Sequence, residues 1–256
     1  MSKPHVLLLP GMMLDHRMWQ RQVAALEALA ACRVADLSAG DSMDGFAGAE
    51  LARSPERLHL IGFSMGAIVA VAMWRMAPQR IGSMTLMGFS PHADDPARKA
   101  PRLRHAARAE RGELAALIRE DFAPRYFARG ATSGDIGRWT GAVVDMAVSL
   151  GADVFRRQTM AQIGRADSVP SLQGIRVPVL LLRGADDQLV SADDQALMRA
   201  RIPDARYQAI EDAGHMLTLE QPDAVNASLL QFLQDMIDEQ YQKIQDPGSP
   251  AGLCGG

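Results

Sequence analysis

The chain has 256 residues, long enough for a substantial core in one large domain or two small ones. Its hydrophobic fraction of 48% and charged fraction of 22% are ordinary for a globular protein, and a net charge of −3 supplies no general attraction to nucleic acid or to an anionic membrane. The two cysteines, Cys32 and Cys254, make no disulfide framework, no apolar run reaches membrane-spanning length, and Met1 to His5 lacks a signal-peptide pattern, so the expected compartment is the cytoplasm.

Taken in chain order, His5 to Leu9 is a continuous apolar run, the mark of a strand covered on both faces. Asp15 can cap a helix over Trp19 to Leu29, where Val23, Leu26 and Leu29 recur at helical spacing. Cys32 to Leu37 reads as a second strand. Ser38 to Gly48, rich in Gly, Ser and Asp, reads as loop. Leu58 to Ile61 and Ile81 to Phe89 are further buried strands, with a helix from Met65 stopped by Pro78 between them. Residues 91–170 contain no strand-like run and four helical ones: Ala97–Arg111, Glu113–Ala128, Asp135–Leu150 and Asp153–Ile163. Val177 to Leu182 and Arg206 to Ile210 resume the strands. Glu220-Gln221-Pro222 opens an amphipathic helix through Val225, Leu229, Phe232 and Ile237, and residues 246–256 read as a flexible tail.

Alternating strands and helices predict an α/β fold with a mostly parallel sheet covered on both sides. Residues 1–90 and 171–240 form that core. The block 91–170 is expected as a helical lid over the carboxyl edge of the sheet, where ligands bind in such folds.

The segment Gly62-Phe63-Ser64-Met65-Gly66 is the most informative. Chance supplies a G-x-S-x-G pattern about 0.1 times in a chain of this composition, so its flanks decide its meaning. A strand precedes it and a buried helix follows, which makes a tight turn with a strained, outward-pointing serine at a helix N-terminus. A serine nucleophile needs a base, and the base needs a group to hold its tautomer. Of six histidines, only His215 falls on a loop at the carboxyl end of a strand, through Glu211-Asp212-Ala213-Gly214. Strand 177–182 runs into Asp186 and Asp187, either of which can face a histidine.

These motifs resemble the serine α/β-hydrolase superfamily, in its lidded branch of esterases, thioesterases, cofactor-free haloperoxidase-like enzymes and carbon–carbon bond hydrolases. The order Ser, Asp, His is the superfamily's, and so is the ending Gly214-His215 followed by Glu220-Gln221-Pro222. The resemblance covers about residues 5–90 and 175–238 and is weak in the lid. It implies Ser64 as nucleophile, His215 as base and Asp187, rather than Asp186, as the acid. It also implies an oxyanion hole from the backbone N–H groups of Met12 and Met65, although Pro10 stands where a His-Gly pair is common.

The implied activity is cleavage of a carboxylic ester or thioester through an acyl-enzyme, with no cofactor and no metal. The alternatives are a carbon–carbon bond hydrolase or lyase using the same triad, and a ligand-binding protein on the same fold. The partner is a small-molecule ester, thioester or ketone, with neither nucleic acid nor membrane expected. The sequence leaves the oligomeric state open. Met13, Phe122, Phe127 and Trp139 are the candidate pocket residues. Arg98 to Arg138 carries ten Lys/Arg against five Asp/Glu, which suits either a solvated helix face or attraction of an anionic substrate.

Overall fold

A computed structural model describes residues 3–245; the predicted tail 246–256 and Cys254 lie outside the described residues. The sheet is six-stranded and parallel at every pairing. Its strands are β1 (His5–Leu9), β2 (Ala31–Val34), β3 (Leu58–Phe63), β4 (Ile81–Met87), β5 (Val179–Gly184) and β6 (Arg206–Ile210), in the order β2-β1-β3-β4-β5-β6. Every residue of β3 is buried, which explains the continuous apolar runs: both faces of the sheet are covered.

On one face, Val6, Leu8, Ile61 and Leu182 pack with Trp19, with Leu26 of α1 (Gln20–Leu26), with Leu229 and Phe232 of α10 (Pro222–Gln245), and with the insertion after β4. On the other face, Leu7, Leu9, Leu60 and Leu181 pack with α2 (Met43–Ala52), α3 (Met65–Met76) and Met198 of α9 (Ala192–Arg201). Trp19, Phe46 and Phe63 are almost wholly removed from water, each stabilising the fold by roughly 1.5–3 kcal/mol relative to exposure.

Two stretches depart from the sequence reading. Residues 43–48, expected as loop, open α2, with the Ser42 hydroxyl accepting from Gly45 N–H. Their glycines obscure the helical pattern, yet Met43, Phe46, Ala47 and Leu51 are buried and make the α2 face that packs on α3. A helix also forms over Ala192–Arg201, where no element was predicted; it is closed by a reciprocal cap between Ser191 and Asp194. Strand ends shift by two or three residues: β2 stops at Val34, and β5 runs to Gly184 rather than Leu182.

The turn after β3 is as tight as its motif requires. Ser64 has φ 51° and ψ −113°, and its N–H donates to Met87 O at 2.8 Å, tying the turn to the end of β4. A Cβ on Gly66 would stand 2.1 Å from Leu9 O. That closeness brings the start of α3 against the end of β1.

Between β4 and β5 the chain is helical. It runs through α4 (Lys99–Arg108), α5 (Leu114–Leu117), α6 (Ser133–Leu150), α7 (Ala152–Ile163) and α8 (Val169–Leu172). The predicted helices over 97–111 and 113–128 form one kinked run. Wide π-type turns lie at Ala109–Glu113 and Ile118–Phe122, and Gly112 sits at φ 87°. Helical structure ends at Arg125, just after Pro124. No helix among the described residues is long and apolar enough to cross a membrane.

Candidate active site

Three strand ends deliver three side chains to one point. Ser64 follows β3, Asp187 follows β5 and His215 follows β6. His215 Nε2 lies 3.1 Å from Ser64 Oγ, and His215 Nδ1 lies 2.9 Å from Asp187 Oδ2. His215 and Asp187 are buried, whereas Ser64 is partly open. Phe63 and Tyr126 flank the imidazole with ring centroids at 5.0 and 6.0 Å.

The structure separates the two adjacent aspartates. Asp186 is exposed, while Asp187 Oδ1 accepts from the N–H groups of Leu189 at 2.8 Å and Val190 at 3.1 Å. Burial works to raise the Asp187 pKa. The His215 charge and hydrogen bond, with the two backbone donors, outweigh it and hold the carboxyl below its ordinary value. Arg183, which sequence reading did not single out, shapes this loop. Its guanidinium donates to the carbonyls of Val190 at 2.8 Å, Ala185 at 3.0 Å and Asp187 at 2.8 Å. A Cβ on Gly184 would lie 1.9 Å from Gly214 O, so the loops carrying Asp187 and His215 touch backbone to backbone.

Met65 is the first residue of α3, and Met12 lies in the turn after β1. Neither backbone N–H donates to a protein acceptor among the described residues. Met13 adopts φ 57°, and its N–H donates to Gln158 Oε1 at 2.8 Å, while Gln158 Nε2 donates to Leu37 O at 3.0 Å. Gln158, on α7 of the insertion, therefore fixes the Met12–Met13 turn; no local motif marks it, because its partners lie more than a hundred residues away.

Glu220 makes the second link between insertion and core. Its buried carboxylate accepts from Gly214 N–H at 3.0 Å, next to His215, and from Ala128 N–H at 2.7 Å, while Met216 N–H donates to Tyr126 O at 3.0 Å. Burial raises the Glu220 pKa, and the two backbone donors oppose the rise.

A cavity of about 740 Å³ opens beside Ser64 and His215. Met12 and Phe122 line it. The other candidate pocket residues lie outside its lining. Met13 is turned into the core, 2% exposed; Phe127 is buried against the Gly214 backbone; Trp139 stacks on Phe127 with centroids 5.4 Å apart. Their apolar surface joins insertion to core instead.

The chain belongs to the alpha/beta hydrolase family, whose model matches residues 6–228. It is 26% identical over 246 residues to pimeloyl-(acyl-carrier protein) methyl ester esterase of Aromatoleum aromaticum, spanning 87% of this chain and 95% of that one. It is also 26% identical over 196 residues to a 2-hydroxy-6-oxononadienedioate/2-hydroxy-6-oxononatrienedioate hydrolase of Cupriavidus pinatubonensis, spanning 70% and 62%. Among solved structures, a thermophilic esterase from Thermogutta terrifontis shares the fold with a TM-score of 0.82 at 24% identity, covering 92% of this chain and 91% of that one.

Proposed function

We propose that this chain is a serine hydrolase that cleaves a carboxylic ester or thioester of a small to medium substrate through an acyl-enzyme. The observation that carries the reading is the unbroken Ser64–His215–Asp187 hydrogen-bonded chain, at 3.1 and 2.9 Å, facing a cavity. Ser64 Oγ attacks the carbonyl carbon as its proton passes to His215 Nε2. Asp187 holds the Nδ1 proton and stabilises the imidazolium. The developing oxyanion takes hydrogen bonds from the N–H groups of Met65 and Met12, each such donor contributing about 3 kcal/mol in the transition state. His215 then protonates the leaving group, and a water deprotonated by the same imidazole releases the acid. The helical insertion acts as a lid that encloses the acyl group.

Ester cleavage is supported by the name of the Aromatoleum relative, an esterase matched along nearly its whole length. A carbon–carbon bond hydrolase using the same residues is the second reading, and the Cupriavidus relative supports it. A panel of p-nitrophenyl esters against diketones separates the two, and turnover of diketones alone would reject the ester reading. For the triad, p-nitrophenyl acetate and butyrate hydrolysis is measured for wild type and Ser64→Ala. The expected loss in kcat is about 10⁴-fold or more; turnover untouched by the substitution would remove Ser64 from the mechanism.

A further inference from the structure

The lining of the cavity carries several charged side chains. Arg98, Arg102, Arg125 and Arg165 all line it, with Asp95 and Asp194. Arg102 shows what a satisfied guanidinium looks like here. Its Nε and Nη2 grip the buried Asp94 carboxylate at 2.7 and 2.8 Å. Arg165, just beyond α7, has no such partner. Its side chain makes one hydrogen bond, from Nη1 to the neutral Gln162 Oε1 at 3.0 Å. Its Nε–H is buried without an acceptor, and no carboxylate among the described residues lies within ion-pair distance. Beyond that bond, Arg165 Nη2 makes no hydrogen bond among the described residues, while Nε is packed over.

Arg165 is half-buried, so its charge is only partly solvated, and an anion placed against it gains more than it would beside a fully exposed arginine. We infer that Arg165 is the centre of an anion subsite, and that the substrate is an ester carrying a free carboxylate on its far end. The inference rests on the serine-hydrolase reading for the ester and on the cavity wall for the carboxylate.

The charge balance selects the anion. Four arginines stand against Asp94, Asp95 and Asp194, a surplus of one positive charge. The two lining aspartates are held in place: Asp95 Oδ1 accepts from Ala97 N–H at 2.9 Å, and Asp194 Oδ2 accepts from Ser191 N–H at 3.3 Å, with His92 Nε2 3.4 Å from Oδ1. A monoanionic carboxylate matches the surplus and can take a charge-assisted hydrogen bond from the unbonded Nη2 of Arg165. A phosphate dianion overshoots the surplus and sets its second charge against Asp95 and Asp194. Phe122, Leu189 and Val190 line the same cavity with apolar surface suited to a methylene spacer. Burial lowers the Arg165 pKa from its ordinary value, Asp94 and Asp194 only partly opposing the fall. Arg98 and Arg125 likewise make no ion pair among the described residues but are exposed, which leaves Arg165 as the half-buried unpaired charge of the lining.

The test compares kcat/KM for p-nitrophenyl monoesters of straight-chain dicarboxylic acids, from butanedioic to octanedioic, with the neutral p-nitrophenyl esters of equal length. Wild type is expected to favour the carboxylated ester by about tenfold or more at one length at least. In Arg165→Gln that ratio falls by about tenfold, with Arg165→Lys between the two because it keeps the charge and loses the fork. No preference at any length in wild type, or the same ratio in Arg165→Gln, would overturn the inference. Should Arg165→Gln not fold, inhibition of wild-type butyrate hydrolysis decides: hexanedioate is expected to inhibit far better than hexanoate, and equal inhibition overturns the subsite. Inorganic phosphate inhibiting better than hexanedioate overturns the carboxylate assignment. Labelling of Ser64 by a fluorophosphonate reports on the hydrolase reading separately. If Ser64 is inert, hexanedioate-dependent thermal stabilisation of the folded protein still reads the subsite, and its absence sinks it.

Discussion

The β3–α3 elbow and the helical insertion face each other across one cavity, yet they are held by different means. The elbow is held by backbone. Gly66 abuts Leu9 O, Ser64 N–H bonds Met87 O, and β3 is paired on both sides along its length. The insertion is held mainly by side chains, Gln158 to Met13 and Leu37 and Glu220 to Ala128 across long stretches of chain and Arg102 to Asp94 within it, with one backbone bond from Met216 N–H to Tyr126 O. Backbone contacts demand particular residues at fixed spacing, whereas side-chain contacts can be met in many ways. The Ser64 turn is therefore conspicuous in the sequence, and the cavity lining that the insertion contributes is not.

Substitutions can break that contrast or sharpen it. After Ser64→Ala, the largest effect is expected at the proposed acid. Asp187→Asn removes the charge that holds the His215 tautomer and lowers kcat by about 10⁴-fold, whereas exposed Asp186→Asn changes it by less than about threefold. The reverse order in ester hydrolysis would overturn the assignment. Gly66→Ala drives a methyl into Leu9 O and is expected to destabilise the fold by roughly 3 kcal/mol in urea unfolding; an unchanged midpoint would mean that the elbow is not backbone-held.

Gln158→Ala strands Met13 N–H and Leu37 O and is expected to lower stability by about 2 kcal/mol. Because it frees the turn that carries Met12, kcat should also fall, by roughly tenfold, with little change in KM. A loss confined to stability would make Gln158 a mere tie. A separate effect concerns pH. His59, at the far end of β3 from Ser64, bonds Ser83 Oγ at 2.8 Å, and burial pushes its pKa down to about 4. The unfolded chain binds a proton there below about pH 6.5 that the folded chain refuses, so stability falls as pH drops from about 6.5 to about 4. The fall should be on the order of 3 kcal/mol and shallower in His59→Gln; equal slopes would exclude His59 as its source.

Much of the architecture was legible. The runs at His5–Leu9, Leu58–Ile61 and Ile81–Phe89 are apolar without interruption because both sheet faces are covered, and that pattern survives any change of partner. The α2 helix was missed because Gly45 and Gly48 lower its local propensity, while its stability comes from packing on α3. Of the candidate pocket residues, Phe122 lines the cavity, but Phe127 and Trp139 spend their apolar surface on each other and on the core. Periodicity says that such a side chain is buried and cannot say against what.

By itself, the sequence determined the covered parallel sheet, the strained Ser64 turn and the position of His215 at a strand end. Each of these follows from spacing within a few residues, where covalent geometry leaves few choices. Only the tertiary structure set Asp187, which the family resemblance implies, against His215, joined Gln158 and Glu220 to the core, and left Arg165 without a carboxylate. Those outcomes depend on distances between residues far apart in the chain, fixed only once the insertion packs onto the sheet.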